Sequence, residues 1–168
     1  MLEQLGITLL KIDLPFRLNH VNCFMAEGEN GWTLIDTGLN NASTRALWAE
    51  QLRDKEVKDL FITHYHPDHF GYAGGLQQKT NARVSMTKTD AETGFKVWTD
   101  AYIQNLLQNY QTAGIPNETA LQMVSNTAEF QQLVTPQPTI HHYFTEHEIV
   151  PIGRYQYEVI AAPGHSDG

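Results

Sequence analysis

The chain has 168 residues, 41 % of them hydrophobic and 18 % charged, with a formal net charge of −8. That length and balance suit one globular domain with a real core and exclude a disordered chain. The acidic charge argues against nucleic acid as a partner. The longest apolar runs, such as Leu60-Phe61-Ile62, fall far short of the roughly 20 residues that cross a bilayer, so no membrane partner is expected.

The first residues, Met1-Leu2-Glu3-Gln4-Leu5-Gly6, lack a basic region followed by an apolar stretch, so no secretory signal is read. Cys23 is the single cysteine; no internal disulfide can form, which fits a reducing cytoplasm. Its apolar neighbours favour a small buried residue over a reactive thiol.

Gly6–Leu14 is β-rich and closes at Pro15. Val21–Ala26 and Trp32–Ile35 are further apolar runs, joined by the hairpin signal Glu27-Gly28-Glu29-Asn30-Gly31. Asp36-Thr37-Gly38 ends the third strand. Ser43 is the expected N-cap of a helix reaching about Arg53, with Ala46, Leu47 and Leu52 on its apolar face. Leu60–Thr63 reads as a short buried strand, Gly71–Gln78 as a short helix and Arg83–Met86 as a strand. Strands alternating with helices imply a layered α/β domain.

Residues 91–138 change character and read as a helical insertion. Tyr102, Leu106 and Tyr110 recur at i+4, Gly114-Ile115-Pro116-Asn117 breaks the pattern, and Leu121, Val124 and Ala128 share the next helical face. This is a helical hairpin between two strands, either plain packing helices or a cover over a site. Strand character returns from Ile140, and Tyr155–Ile160 alternates before Pro163-Gly164-His165-Ser166-Asp167-Gly168.

The sharpest feature is His64-Tyr65-His66-Pro67-Asp68-His69. In an extended segment residues i and i+2 point the same way, so His64 and His66 can reach one ion. Pro67 disfavours helix at His66 and keeps that segment extended. The turn that follows aims Asp68 and His69 elsewhere, toward a neighbouring ion. Imidazole and carboxylate ligands suit zinc, with iron or manganese as alternatives. At this chain's His and Asp frequencies the pattern arises by chance with a probability on the order of 10⁻³, which disfavours a mere polar loop.

His165 follows a later strand in a Pro-Gly turn, where Gly164 permits unusual torsions. A lone histidine is more often structural, but with His64 and His66 it completes a three-histidine set. Asp36, at a strand end, is open to two readings: an acceptor behind a ligand histidine, or an Asx turn. His20, His141, His142 and His147 lack ligand spacing to the main run and receive no metal role.

Leu34-Ile35-Asp36-Thr37-Gly38, Thr63 to His69, Gly71-Tyr72-Ala73-Gly74-Gly75 and Ala162-Pro163-Gly164-His165-Ser166 together resemble the metallo-β-lactamase fold superfamily, the αββα metal-dependent hydrolases. The resemblance implies an α/β, four-layer αββα sandwich. It implies that His64, His66 and His165 hold a first metal, that Asp68 and His69 begin a second site, and that Asp36 supports the ligand loop. It further implies two zinc ions and a metal-bound hydroxide attacking a small-molecule ester, thioester, lactone or phosphodiester, with Asp68 in a catalytic role. Alternatives within the same fold are a mononuclear iron oxidoreductase and a non-catalytic associating fragment.

The family pattern continues past the Pro-Gly-His turn to a metal-bridging aspartate and a final histidine. This sequence ends at Gly168, and Asp167 is too close to His165 to be that bridge. The expectation is an N-terminal portion of the domain, spanning residues 1–168 and truncated at its C-terminal end. Its incomplete sheet is expected to self-associate.

Overall fold

The computed structural model describes residues 2–168. A 3₁₀ turn, Glu3–Leu5, leads into β1 (Ile7–Asp13), β2 (His20–Gly28) and β3 (Gly31–Ile35). Then come α1 (Ala42–Gln51), β4 (Val57–Phe61), the short α2 (Pro67–Phe70), α3 (Ala73–Thr80) and β5 (Arg83–Thr87). Three helices follow, α4 (Lys88–Val97), α5 (Asp100–Thr112) and α6 (Asn117–Gln132), before β6 (Ile140–Phe144), β7 (Ile149–Ile152) and β8 (Tyr155–Glu158).

Strands β1 to β6 form one sheet in chain order. The β1–β2 and β2–β3 pairs are antiparallel, as the hairpin signal at Glu27–Gly31 requires. From β3 onward the pairs are parallel, because a helix carries the chain back to the same edge before each new strand. Strands β7 and β8 make a separate antiparallel pair. The architecture is mixed α/β with a central sheet, as read from the sequence. Among the described residues no helix is long and apolar enough to cross a membrane.

Register sorts the side chains. Leu34, Leu60, Val84 and Ile140 lie in one cross-strand row. Leu34, Leu60 and Val84 belong to the buried cluster that also takes in Trp48 of α1, Tyr72 at the start of α3 and Leu76 within it, and Ile140 packs against it. One residue further along, Ile35, Phe61 and Ser85 form the next row and so face the other way. Phe61 there meets Phe144 edge-on at 5.0 Å. Trp48 is 1 % exposed, and its indole N–H donates to Thr37 O at 2.8 Å, so burial carries no orphaned donor.

Several local expectations shift. Asn41 rather than Ser43 caps α1: its side chain accepts from Thr44 N, while Ser43 Oγ donates to Asn41 Oδ1. Strand β4 ends at Phe61, so His64 and His66 stand on an extended loop beyond it. Helical structure begins at Lys88, and α4 precedes the α5–α6 pair that turns at Gly114. On α6 the buried position is Ala120, whereas Leu121 is 49 % exposed. Near the site, α3 begins at Ala73, after a crowded place in the chain: a Cβ on Gly71 would lie 2.3 Å from Pro67 O and 2.6 Å from Leu133 O.

Candidate metal centre

The site grows from the ends of two adjacent parallel strands. Asp36 follows β3, and its backbone N–H bonds Phe61 O at 2.9 Å. Its φ of 59° is left-handed, which Asp tolerates better than most residues. This turns the carboxylate inward, where the residue is 3 % exposed. Oδ1 accepts Thr63 N–H at 2.9 Å, and Oδ2 accepts Thr63 Oγ1–H at 2.9 Å. His69 Nδ1 lies 2.8 Å from Oδ2. Asp36 therefore spans both ends of the ligand run, which is more than an Asx turn would do.

These contacts settle the imidazole tautomers. The Thr63 hydroxyl has one proton and gives it to Asp36, so His64 Nδ1, 2.9 Å away, must be the donor to Thr63 Oγ1. His64 Nε2 is left with a lone pair. That atom is buried and has no hydrogen-bond partner among the described residues. Likewise His69 Nδ1–H donates to Asp36, leaving Nε2 free, 3.5 Å from Asp68 Oδ2. Thr37 anchors the same loop: its N–H and its hydroxyl both donate to His69 O, and the hydroxyl accepts Tyr72 N–H.

His66 takes φ −62° and ψ 149°, the extended conformation that Pro67 imposes on its predecessor. Its Nδ1 lies 3.0 Å from His165 Nε2. His165 arrives on an exposed turn in which Gly164 has φ 147°, outside the range that L side chains adopt readily. The ligand atoms of His64, His66 and His165 all lie within 4.8 Å of one another. Asp68 and His69 stand beside this trio, with the His69 ring 4.0 Å from the His64 ring.

Electrostatics agree with the geometry. Burial, with the neighbouring His69 and His66 imidazoles, pushes His64 down to about 4. Burial and His165 also hold His66 below the usual imidazole range. Burial would lower His69 too, but its hydrogen bond to Asp36 and that carboxylate's charge reverse the sign and raise it. Cys23 is fully buried, as expected, and burial pushes its thiol up.

A cation fits these residues: His64 Nε2 is a buried nitrogen without a partner among the described residues, the His66 and His165 nitrogens face each other at 3.0 Å, and the Asp68 carboxylate stands beside His69 Nε2. Beside the trio opens a groove of about 700 Å³ between β4 and the β7–β8 pair, lined by Phe61, Phe144, Val150 and Tyr157 and reaching His64 and His165.

His141, His142 and His147 are exposed. His142 and His147 pair with Glu148 and Glu158, each at 2.6 Å, and His20 lies beside Asn19. Sequence reasoning missed Thr63 and Thr37 as supports. The only signal for either was its place beside Asp36 or His64, because hydroxyl partners across 27 to 35 residues leave no periodic trace.

A strand-end carboxylate thus holds a His-x-His-x-Asp-His loop on a mixed α/β scaffold, and a third histidine meets it from a later turn. The family model described as the metallo-beta-lactamase superfamily matches residues 17–167, and the chain belongs to that superfamily. A beta-lactamase domain protein from Burkholderia ambifaria is 30 % identical, with a TM-score of 0.76 over 96 % of this chain and 48 % of that one. A metallo-beta-lactamase family protein from Thermus thermophilus is 26 % identical, with a TM-score of 0.80 over 97 % of this chain and 54 % of that one. An (R)-specific secondary-alkylsulfatase from Pseudomonas sp. is 31 % identical over 81 residues, 46 % of this chain and 12 % of the relative. The chain thus spans about half the length of these solved structures and a smaller share of the curated relative.

Proposed function

We propose that this protein is a metal-dependent hydrolase whose first cation is held by His64, His66 and His165, with Asp68 and His69 forming one side of a second site. The observation that carries the reading is the buried Nε2 of His64, unpartnered among the described residues, in a histidine whose ligand atom lies within 4.8 Å of those of His66 and His165. Zinc is the metal we favour, with iron or manganese as alternatives, because the donors are imidazole and carboxylate. When bound, such an ion supplies Lewis acidity, which activates water near neutral pH and polarises the bond under attack.

The chain's own residues do the rest. Asp36 Oδ2 holds the Nδ1 proton of His69, and Thr63 Oγ1 receives that of His64, so both Nε2 atoms stay open as donors of electron pairs. Asp68, with a side chain 15 % exposed, presents a carboxylate that can orient an attacking water and accept its proton. The groove supplies an apolar wall for a small-molecule ester, thioester, lactone or phosphodiester. The alkylsulfatase relative adds sulfate esters to the panel worth assaying. The net charge of −8 disfavours nucleic acid as the substrate.

The test is metal analysis after repletion with zinc, iron or manganese, followed by hydrolysis assays on that panel. We expect at least one tightly bound ion per chain, and turnover abolished by chelator and by Asp68→Ala. Failure to retain any of the three metals would sink the reading. One iron per chain with oxygen uptake would replace it with an oxidoreductase.

A further inference from the structure

Tyr65 stands between His64 and His66, and both of its backbone polar groups are held by side chains from α4 or its cap. Tyr65 N–H donates to Asp90 Oδ1 at 3.3 Å, and Tyr65 O accepts from Trp98 Nε1–H at 3.1 Å. Between these two points the helix approaches so closely that a Cβ on Gly94 would lie 2.9 Å from the Tyr65 Cβ.

Asp90 has a second set of contacts. Thr87 caps α4 by accepting Asp90 N–H at 3.2 Å, and the Thr87 hydroxyl donates to Asp90 Oδ2 at 3.0 Å. That reciprocal cap explains one carboxylate oxygen. It does not explain why the residue is fully buried, at 0 % exposure, or why Oδ1 turns toward Tyr65. A buried carboxylate is costly unless its oxygens find donors, and here the ligand run supplies one. Gly168, three residues past His165, packs on the same cap: a Cβ there would lie 2.3 Å from Thr87 Oγ1 and 2.4 Å from Asp90 Oδ2. The first turn of α4 thus supports both segments that carry the three histidines.

We propose that Asp90 and Trp98 are positioning residues for the metal centre, clamping the Tyr65 peptide groups so that His64 and His66 are held at a fixed mutual angle. The proposal rests on the metal-site reading above. Neither residue reaches the ligand nitrogens; each acts through the backbone of Tyr65. Supports of this kind typically govern about 10–100-fold in metal affinity.

Cobalt(II) is the probe, because its visible absorption reports coordination geometry independently of turnover. Affinity by chelator competition and the cobalt spectrum would be measured for the wild type, Trp98→Phe, Asp90→Ala and Asp90→Asn. Trp98→Phe keeps a ring and removes the N–H; Asp90→Asn keeps an oxygen acceptor for Tyr65 N–H. We expect Trp98→Phe and Asp90→Ala to weaken cobalt binding about tenfold or more and to alter the spectrum, with Asp90→Asn restoring affinity to within about threefold. Leu106→Ala, at a buried position on α5 outside the ligand run, is the control: it should lower thermal stability and leave the cobalt spectrum unchanged. Wild-type affinity and spectrum in Trp98→Phe would overturn the proposal even if Asp90→Ala fails to fold. A wild type that binds no cobalt would overturn the metal reading, and this proposal with it.

Discussion

The two halves of the candidate site are built to different standards. The His64–His69 run is anchored to buried groups at both ends: Asp36 holds Thr63 and His69, Thr37 holds the His69 carbonyl, and the Phe70 that follows is fully buried. The His165 turn is exposed, and it is held by the approach to His66, a backbone bond from Gly164 N to Ser166 O and the packing of Gly168 on the α4 cap. One half is preorganised by the fold, and the other is brought to it by a tight turn. The difference predicts that ligand geometry and fold stability are coupled in the first half and separable in the second.

The strongest way to break this contrast is Asp36→Ala. It strands the Thr63 N–H, the Thr63 hydroxyl and the His69 Nδ1–H, and it puts alanine at φ 59°. We expect a loss of about 3 kcal/mol or more in urea unfolding and at least a roughly 10-fold fall in metal affinity. Trp48→Ala attacks the same half from below, by opening a cavity and freeing Thr37 O. A cost of about 3–5 kcal/mol is expected from denaturant titration. His165→Ala should behave oppositely: metal affinity drops by about 10-fold or more, while metal-free stability moves by less than about 0.5 kcal/mol. Equal stability losses in Asp36→Ala and His165→Ala would abolish the distinction.

A smaller, sharper test uses pH on the metal-free protein. His64 is pushed from 6.5 down to about 4, so the unfolded chain binds more protons in that window. Its contribution is present above pH 6.5 and is lost as pH falls toward 4. His69 is raised above 6.5, so its contribution is full below 6.5 and fades as pH rises through the folded value. The urea midpoint should therefore fall on acidification, with a slope that His64→Gln flattens, and His69→Gln should flatten the alkaline side.

The smallest expected effect concerns the second region. Among the described residues, strands β7 and β8 pair only with each other, and Ile149 and Ile160 are 59 % and 71 % exposed. We propose that this edge self-associates, so light scattering should show mass above the monomer at high concentration. Ile149→Lys should reduce it.

Much of this was legible in the sequence for a physical reason. Alternating burial and turn residues are local, so β1, β2, β3 and β5 lie within about two residues of their expected limits. The α1 cap was not, because Asn41 and Ser43 are both good caps and only backbone torsions choose between them. On α6 only Leu121 departs from the expected face: it is apolar by residue type yet exposed, while Val124 and Ala128 are half-buried on the side that Ala120 buries.

The ligand set follows the same division. Residue types and spacing determined that His64, His66, Asp68 and His69 would stand close together on one loop, since two-residue periodicity and a proline restrict the backbone locally. Only the tertiary structure decided that His165 meets His66 at 3.0 Å, that His64 Nε2 is the free nitrogen, and that Asp36 serves two ends of one loop. Those facts depend on strands pairing side by side across long stretches of chain, where a hydrogen bond is set by three-dimensional register and leaves no pattern in the sequence.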